Sequence, residues 1–166
     1  MKKLSTINTS ERNNKERSGF TLIECIATVA IVGILSSIAL PNYMNQVNRT
    51  RQNETASVIS QIQTTIAAYA DEFGVLPTSW ADLNNTNAIM TENGPATDND
   101  FAAINLAGGF YNVAITNTAN LFTISATRDD EPNLNVIACI NLTNGASGIN
   151  QGKGTADTAA TTPNCG

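Results

Sequence analysis

Residues 19–41 read GFTLIECIATVAIVGILSSIALP, and this stretch decides how the rest of the chain is organised. The 21 residues from Phe20 to Leu40 are all apolar or small, with the single exception of Glu24. At about 1.5 Å per residue, a helix of this length reaches about 31 Å, which is close to the roughly 30 Å hydrocarbon core of a bilayer. The sequence therefore predicts a membrane-spanning helix over residues 20–41.

A polar and basic leader precedes this helix. Residues 1–19 contain five basic and two acidic side chains, a net charge of +3; because the whole chain carries −5, the other 147 residues carry −8. Lysine and arginine beside a membrane span stay in the cytoplasm, so the domain after the helix is expected on the far side of the membrane. So acidic a domain does not attract phosphate backbones, and we predict no direct nucleic-acid binding by its bulk surface.

The boundary between leader and helix has a small-residue junction at Ser18-Gly19. An ordinary secretory signal is cut after its apolar region, whereas this junction lies before it. Cleavage after Gly19 would remove residues 1–19 and leave the apolar helix in the mature protein.

Together these residues resemble the N-terminus of type IV pilins: Gly19 before the apolar run, Phe20 as its aromatic start, the lone acid Glu24, and Pro41 at its end. The resemblance is dense over residues 17–44. It implies that a membrane-embedded prepilin peptidase cuts the Gly19–Phe20 bond and methylates the new Phe20 amine. It also implies insertion in the inner membrane with a cytoplasmic N-terminus, followed by assembly with other pilin subunits into a cell-surface pilus by inner-membrane machinery.

Glu24 is costly in this position, because a carboxylate inside a bilayer costs about 2.5–3.5 kcal/mol on insertion scales. After cleavage, the Phe20 ammonium would lie four residues before Glu24 on the same helix face. By resemblance, Glu24 pairs with the Phe20 ammonium of a neighbouring subunit and sets the axial register of the filament. The alternative is a plain membrane anchor that tolerates one acid.

Two other residues weaken the helix. Gly33 costs about 1 kcal/mol relative to alanine, and Pro41 removes a backbone hydrogen bond. By resemblance, helicity is lost between these two positions on assembly; a simple kink at Pro41 is the alternative.

The remainder of the chain predicts an α+β fold, in which the helix continues and packs on a small antiparallel sheet. An apolar stripe with helical spacing consists of Ile59, Ile62, Ile66, Tyr69 and Phe73, and Gly74 and Pro77 end it. Three strands alternate apolar and polar residues in GFYNVAITN, LFTISATR and NLNVIACINLT, and NTAN suits the first hairpin turn. The predicted organisation is a leader at 1–19, a membrane helix at 20–41, an amphipathic half at 42–74, an αβ loop anchored by Trp80 at 75–109, the sheet at 110–143 and a C-terminal loop at 144–166.

The three cysteines divide into a pair and a single residue. Cys139 and Cys165 bracket the polar tail in a domain expected outside the cytoplasm, so we predict a disulfide between them. Cys25 lies in the apolar helix and is expected to act as a small apolar side chain.

Chemical sites are not predicted. The chain has no histidine, which excludes a histidine-based triad, and no catalytic residue, cofactor or metal site is expected. Asp98 with Asp100, and residues 129–131, could offer calcium their carboxylates, but such clusters are usually solvated turns. The sequence therefore favours a structural pilus subunit for adhesion, motility or DNA uptake. Two alternatives stay open: a type II secretion pseudopilin, and a minor pilin that binds DNA or a surface at the filament tip.

Overall fold

The computed structural model describes residues 19–154 and 159–166. In chain order the elements are α1 (Leu22–Phe73), α2 (Trp80–Thr86), β1 (Met90–Thr91), β2 (Gly94–Pro95), β3 (Ile104–Asn105), β4 (Asn112–Thr118), β5 (Leu121–Thr127), a 3-10 turn (Pro132–Leu134), β6 (Val136–Asn141) and β7 (Ser147–Gln151). The chain divides into two units after Asn42, and the second, Tyr43–Gly166, contains the sheet. The predicted α+β fold is confirmed.

Helix α1 is 52 residues long and includes Pro41. Two polar side chains close to the proline bond backbone carbonyls: Ser37 Oγ donates to Ile34 at 2.7 Å, and Asn42 Nδ2 donates to Ile38 at 3.3 Å. The helix ends where the sequence predicts, because Gly74 adopts a left-handed φ of 67° while its N–H bonds Ala70.

The apolar stripe of α1 forms one side of the core. Ile59, Ile62 and Ile66 are fully buried, and Tyr69 is nearly so. Phe73 was wrongly predicted as a core residue, since 48% of it is exposed. As the last residue of α1, it stacks on Tyr69 with ring centroids 4.6 Å apart.

The other side of the core is a five-stranded antiparallel sheet in the order β3-β4-β5-β6-β7. The alternation predicted for the three central strands is confirmed within β4, β5 and β6, because their inward side chains are buried: Val113, Ile115, Phe122, Ile124, Ala126, Val136, Ala138 and Ile140. Tyr111, just before β4, is also buried, whereas Leu142, just after β6, is only partly buried. β4 extends two residues into the predicted NTAN turn and β5 begins directly after it, leaving Ala119 and Asn120 between the strands. Ala119 takes a left-handed φ of 52° to close this tight connection.

Two stretches predicted as loops contain regular structure. Ser147–Gln151 forms β7. Its pairing with β6 needs only backbone groups, so the pattern of apolar residues does not predict this strand. Residues 75–109 include α2, the small β1–β2 ladder and β3. Ser79 caps α2 by accepting the Asp82 N–H at 3.1 Å. Trp80 anchors this region as predicted: it is fully buried, and its Nε1 donates to the Ala102 carbonyl at 2.8 Å.

Buried polar side chains fix α1 against the far part of the sheet. Gln52 Nε2 donates to the Gly152 carbonyl at 2.7 Å, just beyond β7. Gln63 Nε2 donates to the Cys139 carbonyl in β6, also at 2.7 Å. Because these amides bond backbone groups of the C-terminal part of the chain, they set the position of α1 along the sheet more specifically than apolar contact alone.

A buried arginine makes a further connection to α1. Arg128 follows β5, is 3% exposed, and donates to both carboxylate oxygens of Asp130 at 2.9 and 2.6 Å. Its third contact is with Asn48 Oδ1 of α1 at 3.2 Å, and its guanidinium lies 5.7 Å from the Tyr111 ring centroid. Hydrogen bonds from Arg128 lower the pKa of Asp130 below its ordinary value of 3.8.

This pair gives a pH-dependent contribution to stability. A carboxylate whose folded pKa is lowered stabilises the fold above its unfolded pKa and loses that contribution as the pH falls through the folded value. We expect Asp130→Asn to lower the free energy of unfolding at neutral pH by no more than about 1 kcal/mol, since the carboxylate is largely exposed. The difference from the unmodified chain should disappear well below pH 3.8, the ordinary value for this group. Denaturant unfolding, followed by Trp80 fluorescence, measures the free energy of unfolding of both chains at neutral and at low pH.

The matched control is Asp129→Asn, which removes the same charge from the exposed neighbouring residue. An equal, pH-dependent loss in both variants would contradict a specific Arg128–Asp130 contribution.

Candidate assembly site

The N-terminal half of α1 exposes an uninterrupted apolar surface. Its large apolar side chains are 56–79% exposed: Leu22, Ile23, Ile26, Val29, Ile31, Val32, Ile34, Leu35, Ile38 and Leu40. Among the described residues, α1 is the one helix long and apolar enough to cross a membrane, with a mean hydropathy of 2.2 in its most apolar window. A continuous surface of this kind marks a site that lipid or other apolar protein surfaces cover.

Glu24 closes the first turn of this helix. Its Oε2 accepts the backbone N–H of Thr21 at 2.8 Å and the Thr21 hydroxyl at 2.7 Å. In return, the Glu24 N–H approaches Thr21 Oγ1 at 3.4 Å. This reciprocal arrangement is a capping box, which satisfies N–H groups that the first turn leaves free.

Thr21 is therefore a capping residue that the pilin resemblance did not single out. The signal was present, because Thr21 and Glu24 have the spacing T-x-x-E that precedes a capped helix. The capping box gives Glu24 a role within its own chain, beside the predicted pairing between chains.

The predicted cleavage junction lies immediately before α1. Gly19 and Phe20 are both exposed, Phe20 by 77%. Apart from its chain neighbours, no atom of the described residues lies within 4 Å of the place where a Cβ on Gly19 would be. The rest of the predicted leader, residues 1–18, lies outside the described residues. Cleavage at Gly19–Phe20 and methylation of Phe20 stay predictions.

Gly33 and Pro41 both lie inside α1, which is helical at both positions. Apart from its chain neighbours and the backbone of α1 itself, no atom of the described residues lies within 4 Å of a Cβ built on Gly33. Packing within the single chain therefore does not require a glycine at this position, and the predicted loss of helicity on assembly stays a prediction.

The predicted cysteine pair is joined in the structure. Cys139 and Cys165 form a disulfide with Cα atoms 6.1 Å apart, and Cys25 is free and exposed. Hydrogen bonds also hold the tail against β6: Asn141 Nδ2 donates to the Cys165 carbonyl at 2.9 Å, and the Ala160 N–H donates to Asn135 Oδ1 at 2.7 Å.

Two of the five acidic candidates have structural partners. Asp130 is engaged by Arg128, and Asp100 Oδ1 accepts the Ala102 N–H at 3.0 Å. Within residues 19–154 and 159–166, no three carboxylate, cysteine or histidine side chains come together in a way that could hold a metal ion. Asp100 thus supports a turn, and Asp130 forms an ion pair.

The disulfide should contribute strongly to stability, because it closes a long loop with few core residues. We expect Cys165→Ser to lower the free energy of unfolding by about 3 kcal/mol, mainly by releasing the entropy of the unfolded chain. Thermal unfolding of the detergent-solubilised chain, with and without reductant, measures the loss.

Cys25→Ser is the control and should leave stability unchanged, since Cys25 is exposed and outside the bridge. If reductant destabilises Cys165→Ser as much as it does the unmodified chain, the assigned contribution is wrong.

Fold and site together define an α+β domain whose N-terminal helix exposes an apolar surface long enough to cross a membrane. The profile described as the prokaryotic N-terminal methylation motif matches residues 14–40. The similar curated proteins are fimbrial proteins, so the resemblance to type IV pilins is confirmed.

Three relatives illustrate this similarity. Fimbrial protein Q of Moraxella bovis is 31% identical over 57% of this chain and 62% of its own length. Type IV major fimbrial protein FimA of Dichelobacter nodosus is 31% identical over 52% of this chain and 54% of its own length. A fimbrial protein of Pseudomonas aeruginosa is 44% identical over 30% of this chain and 32% of its own length.

The chain thus spans about three-fifths or less of the length of these relatives. No solved structure is significantly similar to it.

Proposed function

We propose that this chain is a structural subunit of a type IV pilus, assembled through the N-terminal half of α1. The observation that carries the proposal is the exposed apolar surface from Leu22 to Leu40, which directly follows the Gly19–Phe20 junction inside a matched methylation motif. Water cannot surround such a surface at acceptable cost, whereas lipid before assembly and neighbouring apolar helices after assembly can. The fimbrial names of the relatives support the same function.

The proposed sequence of events begins in the inner membrane. The leader stays in the cytoplasm, prepilin peptidase removes residues 1–19, and the Phe20 amine is methylated. Inner-membrane assembly machinery then transfers the subunit from lipid into the cell-surface filament. In this account the chain has no catalytic role and needs no cofactor; its chemistry consists of one cleaved peptide bond, one methylated amine and one disulfide.

Glu24 would change partners during this transfer. In the uncut chain its carboxylate bonds Thr21, and one of its oxygens, Oε2, receives both of those donors. Cleavage creates an ammonium at Phe20, and in a filament the carboxylate would pair with the ammonium of a neighbouring subunit. The low dielectric constant of an apolar filament centre strengthens such a pair, so it can set the spacing between subunits.

A secretion pseudopilin and a tip-located minor pilin are the other candidates. The names of the relatives, several of them major fimbrial or pilin proteins, favour the pilus shaft. The disulfide-closed tail supports the same choice, because a covalent bond that holds the tail to β6 suits an exposed filament surface.

The decisive variants separate the charge of Glu24 from its capping role. Glu24→Gln removes the charge but keeps the helix cap, because glutamine also closes a capping box. Thr21→Ala removes the cap but keeps the charge. If the carboxylate pairs with a neighbour, Glu24→Gln should be cleaved and inserted normally yet form few filaments, while Thr21→Ala should assemble better than Glu24→Gln. Filaments are counted by electron microscopy, and processing is followed by the mass of the subunit.

Gly19→Val provides the processing control, since it should leave an uncut precursor in the membrane with Glu24 intact. Normal filament numbers from Glu24→Gln, together with failure of Thr21→Ala, would overturn the charge-pairing role and leave helix capping as the function of Glu24.

A further inference from the structure

Two asparagine–glycine pairs occur in the chain, Asn93–Gly94 and Asn144–Gly145. Such pairs are chemically unstable, because the backbone nitrogen of the second residue can attack the side-chain amide carbon of the asparagine. Glycine leaves that nitrogen accessible, since it has no Cβ. The first pair lies at the turn between β1 and β2, and the second lies between β6 and β7.

A hydrogen bond restrains the side chain of the second pair. The Ala146 N–H donates to Asn144 Oδ1 at 2.8 Å. The ring that this hydrogen bond closes contains both the Cγ of Asn144 and the nitrogen of Gly145, so it limits the rotation of the side chain relative to the attacking nitrogen. A donor on Oδ1 also stabilises the negative charge that develops on this oxygen when Cγ is attacked. Asn144 and Gly145 are both exposed, which gives water access.

One contact opposes the reaction. The Gly145 N–H donates to the Asn141 carbonyl at 2.9 Å, and this bond must open before the nitrogen can attack. Hydrogen bonds in exposed turns open at low free-energy cost. The hydrogen bond on Oδ1 is separate from it and can hold the side chain in place during the opening.

The first pair lacks this support. Gly94 is paired with Thr91 in the β1–β2 ladder, and its carbonyl also accepts the Thr91 hydroxyl at 2.8 Å. Among the hydrogen bonds of the described residues, none holds the side-chain oxygen of Asn93 over Gly94. Asn93 therefore serves as a comparison within the same chain.

We propose that Asn144 is a site of spontaneous deamidation in the folded protein. The Gly145 nitrogen loses its proton to water or hydroxide and bonds Cγ, the bond from Cγ to the side-chain nitrogen breaks, and ammonia leaves. The product is a cyclic succinimide. Water then opens either of its two carbonyls, which gives aspartate or isoaspartate. Water is the only co-reactant, and no oxidation or reduction occurs.

The reaction would change the surface where the β4–β5 turn meets the β6–β7 turn; we call this place the corner. Asn120 of the β4–β5 turn donates its side-chain amide to Thr143 Oγ1 at 2.9 Å, so the two turns meet there. Each converted subunit gains one negative charge at this corner. In the isoaspartate product the main chain is also one methylene longer, which displaces Gly145 from the turn.

The test compares the two pairs in the folded and the unfolded chain. The full-length protein in detergent is incubated near neutral pH, with and without denaturant and reductant. It is then cleaved after lysine and arginine, which places Asn93 and Asn144 in different peptides. Tandem mass spectrometry measures the conversion of each. We expect Asn144 to convert several-fold faster than Asn93 in the folded chain, and this ratio to be clearly larger than in the unfolded chain.

Asn144→Gln is the control, because a glutamine at this position forms the corresponding ring far more slowly. The folded variant should lose most of the acidification that ion-exchange chromatography detects in the unmodified chain. The proposal is overturned if the folded ratio is equal to or smaller than the unfolded ratio, or if Asn144→Gln acidifies as fast as the unmodified chain.

Discussion

The exposed apolar half of α1 is the constraint on which the rest of the structure depends. Burying one large aliphatic side chain is worth about 1.5–3 kcal/mol, and this half of the helix exposes many of them between Leu22 and Leu40. The segment therefore has two stable environments, a bilayer and a bundle of like helices. A basic segment before the helix, a lone acid at the first turn and a domain that folds around the other half of the helix all suit the proposed subunit, which would move from one environment to the other.

The second half of α1 organises the domain. Its apolar stripe fills the core under β4, β5 and β6, while Gln52 and Gln63 bond backbone carbonyls in the C-terminal part of the chain. Arg128 adds a polar contact near the start of this half, and the disulfide holds the tail to β6. Because each of these contacts involves the second half of α1 or the sheet that covers it, they stabilise the domain along that half of the helix.

Periodicity predicted the elements that bury apolar side chains, and it could not predict the others. The spacing of Ile59, Ile62 and Ile66 and the alternation in the central strands reflect burial directly, so both were predicted correctly. β7 was missed because its pairing uses backbone groups and Ile149 is its one large apolar residue. Periodicity could not predict the burial of Arg128 either, because this burial depends on the fold bringing Asn48 and Asp130 together. The capping role of Thr21 could be predicted from its T-x-x-E spacing to Glu24, whereas the pilin resemblance involves the acid alone.

The mass of this subunit in filaments sheared from cells tests the central claim most directly. The account predicts an abundant chain that begins at a methylated Phe20, lacks residues 1–19 and retains the Cys139–Cys165 disulfide. A filament subunit that still carries residues 1–19, or a chain that is cleaved but absent from sheared filaments and retained in the membrane, would contradict it.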